Sequence, residues 1–199
     1  LDKRERGFSF LSESLDMRMD QSSDFSAKNV VNEYDEEQLA DIIYKYGEDR
    51  AGRKLAKLIV DNRPFETAIE LSELIKKHHH VPKIHAATRL FQAIRIEVNN
   101  ELGELETLLS SSKDLKDGAM IGIISFHSLE DRIVKQNFKS WTVKCICPHD
   151  VMRCSCGNNH NIGKLLTKKP ITASKAELKI NARSRSAKLR GFCFEKDSY

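Results

Sequence analysis

Ala119-Met120-Ile121-Gly122-Ile123-Ile124-Ser125-Phe126, followed directly by His127-Ser128-Leu129-Glu130-Asp131-Arg132, is the stretch whose reading decides the fold. The first segment is a near-continuous apolar run of strand length after the turn Lys116-Asp117-Gly118. A run without polar alternation predicts a strand buried on both faces, as in a parallel sheet. Ser128-Leu129-Glu130-Asp131 matches a helix-capping pattern and predicts a helix through about Lys139, with Ser128 as the cap. Strand, short loop and helix make half of a βαβ unit. Ligands of open α/β sheets bind beyond the carboxyl ends of the strands. The loop after Phe126 is therefore the expected site.

Upstream of the strand the period is helical. Leu39, Ile42, Ile43 and Tyr46 share one face, with Gly47 as a stop. Ala51, Leu55, Leu58 and Ile59 form the next stripe, ended by Asn62-Arg63-Pro64. Thr67-Ala68-Ile69-Glu70 is a capping box that opens a short helix. His78-His79-His80 ends it. Adjacent histidines on a helix point in different directions and cannot easily share one metal, so all three are expected at the surface. A single long helix is expected from about Ala86 to Ser110, with the core stripe Phe91, Ile94, Val98, Leu102, Leu105 and Leu109. Thr88, Gln92, Arg95 and Asn99 line up beside that stripe within about 60°. Such a polar row either borders a core or reaches over a neighbouring cleft. Residues 1–25 carry no helical stripe and read as ordered loop.

Downstream lie the cysteine loop and a basic segment, with a last strand expected near Lys188 to Phe194. Cys145-x-Cys147 and Cys154-x-Cys156, with His149 and His160 nearby, offer more ligands than the four a tetrahedral zinc takes. The one-residue gaps are tighter than usual zinc spacings, so these thiols stand either as a zinc site or as reduced, loop-stabilising groups. The odd total of five cysteines points to a reducing compartment rather than a secreted disulfide framework. Cys193 stands apart. From Asn161 to Arg190 the chain carries Lys164, Lys168, Lys169, Lys175, Lys179, Arg183, Arg185, Lys188 and Arg190 against the single acid Glu177. Such a segment neutralises phosphates, or is simply a solvated basic face. Arg183-Ser184-Arg185-Ser186-Ala187-Lys188-Leu189-Arg190 mixes cations with small hydroxyls, which suits phosphate contacts or ion pairs holding a sheet edge.

Composition narrows the classes further. The chain has 199 residues, 40% of them hydrophobic and 31% charged, with a net charge of +4. No stretch reaches the ~18 consecutive apolar residues of a membrane span. The charged start, Leu1 to Phe10, lacks the apolar core of a signal peptide. These features read as a cytoplasmic chain with no membrane partner. Its first residue, Leu rather than Met, reads as a processed or cut product. No glycine-rich dinucleotide loop or Walker pattern occurs. His127 beside Ser128 does not make a hydrolase, because no nucleophile-elbow glycines surround the serine.

Several blocks, in this order, together resemble one family. They are Arg6-Gly7-Phe8-Ser9-Phe10, Leu15-Asp16-Met17-Arg18-Met19-Asp20, Tyr46-Gly47-Glu48, Ile84-His85-Ala86-Ala87-Thr88-Arg89, Phe91-Gln92-Ala93-Ile94-Arg95-Ile96 and Asn99-Asn100-Glu101-Leu102. Ile124 to Arg132 and Arg183 to Arg190 complete the set. They resemble the bacterial-type (MraW-like) small-subunit 16S rRNA cytidine-N4 methyltransferases. The resemblance implies an α/β fold: the C-terminal portion of a Rossmann-like class I methyltransferase sheet (1–24 and 113–199) with an inserted all-helical substrate domain (25–112). It implies transfer of a methyl group from S-adenosylmethionine to the exocyclic amine of a cytidine near the decoding centre. The partner implied is small-subunit rRNA or the small ribosomal subunit.

The resemblance also implies that His127 and Ser128 lie near the base, and that Arg18, Arg89, Gln92, Arg95 and Asn99 shape the pocket or contact RNA. Arg183, Arg185, Lys188 and Arg190 would track phosphates. The family usually has Pro where this chain has Ala86. The donor-binding residues match no position here. Their site is expected upstream of Leu1, with Leu1-Asp2 as the tail of its last motif. The strand 119–126 would then lack neighbours, and the isolated chain is expected to be inactive. Two alternatives stay open: a non-catalytic RNA-binding remnant, and an interaction module stapled by Cys145, Cys147, Cys154 and Cys156 around zinc.

Overall fold

The computed structural model describes residues 6–81, 84–148 and 153–195. Leu1-Asp2 and His149 lie outside the described residues. The chain divides into two compact units, Leu1–Glu101 and Leu102–Tyr199.

The first unit is helical: α1 (Ala27–Glu33), α2 (Glu36–Lys45), α3 (Gly52–Val60), α4 (Ala68–His78) and α5 (Thr88–Asn99). Each amphipathic stripe read from the sequence faces one core. Val30, Val31, Leu39, Ile43, Leu55, Ile59, Leu71, Ile75, Leu90 and Ile94 are buried there. The Thr67 hydroxyl accepts from the Glu70 amide, and the Glu70 carboxylate accepts from the Thr67 amide, so the expected capping box forms. A second box, Asp35 with Gln38, starts α2. The loop before α1 also enters this core. Leu15 and Met17 are 3% and 1% exposed, in a segment whose sequence reads only as loop.

Gly7 makes that loop possible. Its φ is +76°, and a Cβ there would lie 2.5 Å from the Asp16 amide nitrogen. Only glycine lets the two backbone segments approach so closely.

Two expectations are corrected in this unit. The single helix from Ala86 to Ser110 is two helices, α5 and α6 (Glu101–Ser112), because Asn100 adopts a left-handed conformation (φ 47°, ψ 37°). Asn tolerates that region better than most residues, and it interrupts the i→i−4 ladder. Phe91 and Ile94 accordingly serve the first core, while Leu109 serves a second. The histidine run is not wholly exposed either. His78 and His80 are exposed, but the His79 side chain is 15% exposed and its Nε2 lies 3.0 Å from Asp49 Oδ2. Asp49 is a buried carboxylate, 3% exposed, and an unpartnered charge there would be costly. The imidazole supplies its partner.

The second unit contains β1 (Met120–Ser125), α7 (Ser128–Ser140), β2 (Gly163–Leu165), β3 (Ile171–Thr172), α8 (Lys175–Ile180), a 3-10 turn Ala182–Ser186 and β4 (Lys188–Phe194). The last strand lies where the sequence places it. The sheet runs β1-β4-β2, with β3 also on β4. Every pairing among the described residues is antiparallel, with Gly122 opposite Gly191 and Ile124 opposite Leu189.

The parallel, doubly buried strand expected at 119–126 is therefore corrected for these residues. Its burial alternates: Ile121 and Ile123 pack on the core, while Met120 and Ile124 are 70% and 56% exposed. A continuous apolar run cannot by itself reveal which face a sheet leaves uncovered. The core beneath is an aromatic cluster. Phe138 and Trp141 of the α7 end pack with Phe192 and Phe194 of β4, the rings of this cluster lying 5.1 to 5.6 Å apart between centroids. Among the described residues, no helix is long and apolar enough to cross a membrane.

Candidate functional site

The turn after β1 is built by a cap, and the cap is His127 rather than Ser128. His127 holds extended backbone (φ −132°, ψ 167°), and its Nδ1 accepts from the Glu130 amide at 3.4 Å. The Glu130 carboxylate reaches back to accept from the amides of Phe126 (2.8 Å) and His127 (3.2 Å). His127 Nε2 also lies 3.5 Å from Glu130 Oε1, and the ring is 8% exposed. Ser128 is the exposed first residue of α7.

The expected Ser128 box does not form: Glu130, not Asp131, is the residue that reaches back, and Asp131 is engaged elsewhere. Asp131 accepts from Arg190 Nε (2.7 Å), Arg190 Nη2 (3.2 Å) and Lys188 Nζ (3.2 Å). Burial pushes this carboxyl up, but the guanidinium and ammonium outweigh it and hold it below the usual carboxylate range.

These contacts divide the basic tail. Arg190, 12% exposed, and Lys188, 40% exposed, tie β4 to the start of α7. They make ion pairs, but on a strand inside the sheet, between β1 and β2, rather than at the expected sheet edge. Arg183 and Arg185 lie in the 3-10 turn and are exposed. Lys168, Lys169, Lys175 and Lys179 are exposed as well, while Lys164 pairs with Glu195 at 2.5 Å.

The polar row of α5 is spent largely on holding the first unit together. Asn99 Nδ2 donates to the carbonyls of Met17 and Arg95, both at 2.8 Å, and its Oδ1 accepts from the Met19 amide at 2.6 Å. Gln92 donates to the Tyr46 carbonyl at 2.8 Å. Arg95 grips Glu101 through two bonds, at 2.7 and 2.9 Å. Arg89 lies 3.7 Å from Asp49 and is 42% exposed. Arg18 pairs with Asp16 at 2.7 Å and donates to the Ser23 carbonyl. The Arg18 hydrogen bond keeps the Asp16 carboxyl low.

Asn99 thus ties the row to the Leu15–Asp20 loop, where buried Met17 is held at φ 59°. Left-handed backbone at a buried methionine is uncommon, and the bonds from Asn99 and Arg6 over-determine it. Sequence reading missed the carboxylates that organise these cations: Asp16, Asp49, Glu101 and Asp131. Three of the four lie inside the family blocks, but apart from Arg18, two residues from Asp16, nothing local marks their partners. A cavity of the first unit lined by Asn62, Phe65, Glu73 and Lys77 holds none of the candidate residues.

The four clustered cysteines converge. Sγ–Sγ separations are 3.5 Å for Cys145–Cys154, 4.0 Å for Cys147–Cys154, 3.5 Å for Cys154–Cys156 and 3.7 Å for Cys156–Cys145. The Asn158 and Ile146 amides hold the Cys156 thiol down to about 5. His160 is turned away, its Nε2 2.7 Å from the Cys156 carbonyl oxygen.

Fold and turn together define a mixed α/β protein in which an edge strand delivers a capped polar turn flanked by a basic strand. The chain belongs to the MraW methylase family, whose model matches residues 1–196. It is 56% identical over 195 residues to the ribosomal RNA small subunit methyltransferase H of Nautilia profundicola, covering 98% of this chain and 63% of that protein. The enzyme of the same name from Nitratiruptor is 57% identical over 199 residues, covering 98% of this chain and 65% of that protein. That from Sulfurimonas denitrificans is 54% identical over 200 residues, with 98% and 64% covered. The chain spans just under two thirds of the length of these curated relatives.

Proposed function

We propose that this chain is the acceptor-side portion of an enzyme that methylates the N4 amine of a cytidine in small-subunit rRNA, with S-adenosylmethionine as donor, in the cytoplasm. The family match across residues 1–196 carries this reading. On this reading the complete protein extends the sheet at β1, an edge among the described residues, into a Rossmann-like sheet whose helices cover the exposed Met120 and Ile124. The helices of residues 25–112 serve as the inserted substrate domain.

A bound donor would supply the methyl group, its sulfonium leaving as a thioether while the amine proton passes to solvent, so holding the acceptor amine in place would carry much of the catalysis. The cytidine leaves its stack and is read along its base edge. His127 acts here as a positioning residue. By capping α7 it fixes the turn that presents Ser128 at the carboxyl end of β1. Arg18, Arg89, Gln92, Arg95 and Asn99 frame the acceptor surface, and the exposed Arg183 and Arg185 follow phosphates. Lys188 and Arg190 serve that interface indirectly, through Asp131.

The test uses the full-length protein with donor and small subunits, and follows label in N4-methylcytidine. His127→Ala lowers kcat by at least about tenfold, the loss expected when reacting groups are misplaced. His127→Asn restores most of it, because Asn is a good N-cap. Full activity in His127→Ala removes this role for the turn. The 199-residue chain alone is expected to bind RNA, more weakly as salt rises, and to transfer no methyl group. Methylation by that chain would overturn the division of labour.

A further inference from the structure

We propose that Cys145, Cys147, Cys154 and Cys156 bind one zinc ion as a closed, four-thiolate structural site. A tetrahedral zinc with Zn–S bonds of about 2.3 Å sets its sulfurs about 3.8 Å apart. Four of the Sγ–Sγ separations run from 3.5 to 4.0 Å, and all four Sγ atoms lie within 4.8 Å of one another. They are too far apart for disulfides, which need about 2.05 Å. The described cysteines are all free.

The tight Cys-x-Cys spacing, unusual for zinc, has a structural explanation. The two arms face each other, and the residue between each pair donates its amide to a sulfur of the other arm. Ile146 N lies 3.4 Å from Cys156 Sγ, and Ser155 N lies 3.4 Å from Cys147 Sγ. Reciprocal amide donors stabilise sulfur as thiolate, the form a metal binds. Each arm supplies two ligands, and a one-residue gap suffices because neither arm must wrap the ion alone.

The loop also needs such a cross-link. No described residue from Thr142 to His160 is buried, and Val143 and Ile146 are 42% and 62% exposed. Its base is closed by two backbone bonds, His160 to Lys144 at 3.0 Å and Ile162 to Trp141 at 2.9 Å. The tip has no apolar core to offset the entropy of ordering it. A metal closing the two arms supplies that constraint.

With four protein ligands the ion keeps no open position, so its role is structural. It also sits past the far end of α7. The His127 turn lies at the other end of that 13-residue helix, which is about 20 Å long at 1.5 Å per residue. The site staples the segment that returns the chain from α7 to β2, and its existence does not depend on the methylation reading.

The decisive experiment is metal analysis of the full chain, purified reduced and without chelator, before and after titration with zinc sulfate. The expected result is about one zinc per chain, with X-ray absorption showing four sulfur neighbours at about 2.3 Å. Cys154→Ser loses the zinc, and Cys193→Ser keeps it. The absorption measurement needs no variant, so it decides even if Cys154→Ser does not fold. Less than about half an equivalent of zinc after titration, nitrogen or oxygen in place of the sulfurs, mapped disulfides among these cysteines, or full zinc retained in Cys154→Ser would each overturn the proposal.

Discussion

Asn99→Ala is the sharpest test of how the first unit is held together. The side chain makes three hydrogen bonds, two of which reach across 80 and 82 residues to the Met19 amide and the Met17 carbonyl. The two long-range bonds contribute about 1 kcal/mol each net, and leaving the buried Met17 carbonyl unsatisfied adds about 1 kcal/mol more. Against this, Ala is a better helix former than Asn by about 0.6 kcal/mol. The net destabilisation is about 2 kcal/mol, or about thirtyfold in the unfolding equilibrium. Urea unfolding followed by far-UV circular dichroism reads it, because α1 to α5 contribute much of the helical signal. Fluorescence of Trp141, the one tryptophan, reports the second unit in the same sample. The dichroism midpoint should fall with its slope unchanged. A shift worth less than about 0.5 kcal/mol, the scatter of ordinary surface changes, would mean that Asn99 is not a structural tie.

Two further outcomes follow from the geometry. Gly163→Ala puts a Cβ 2.0 Å from the Cys193 carbonyl oxygen and 2.9 Å from Phe194 Cα. Backbone atoms cannot yield, so the β2–β4 pairing should break at a cost above about 3 kcal/mol, seen as a lowered Tm by Trp141 fluorescence. Acid should act through Asp16 and Asp131. Both have folded pKa values below their unfolded values, so their stabilisation is present above about pH 4 and lost as pH falls through the folded values. The urea midpoint of the native chain should therefore drop between about pH 5 and pH 3. Asp131→Asn should start lower at neutral pH and lose less over that window. An equal loss in both would remove Asp131 from the account.

What the residues alone determined were local interactions. The stripes of α2 to α5, the Thr67–Glu70 box, the last strand and the strand–turn–helix unit around Phe126 rest on partners within a few positions. Periodicity and capping report such contacts directly. The candidate cations and the four cysteines were also legible, as residue types in a pattern. Tertiary structure alone decided how they are used. Asp131 meets Arg190 across 59 residues, Asn99 meets Met17 across 82, and the two cysteine arms meet across a loop. The cap of α7 went to His127 with Glu130 rather than to Ser128 with Asp131. Which strand lies beside β1, and which face it leaves to solvent, turned on the return of the chain at 188–194. Such pairings depend on closing long loops, and short-range sequence patterns carry no record of that closure.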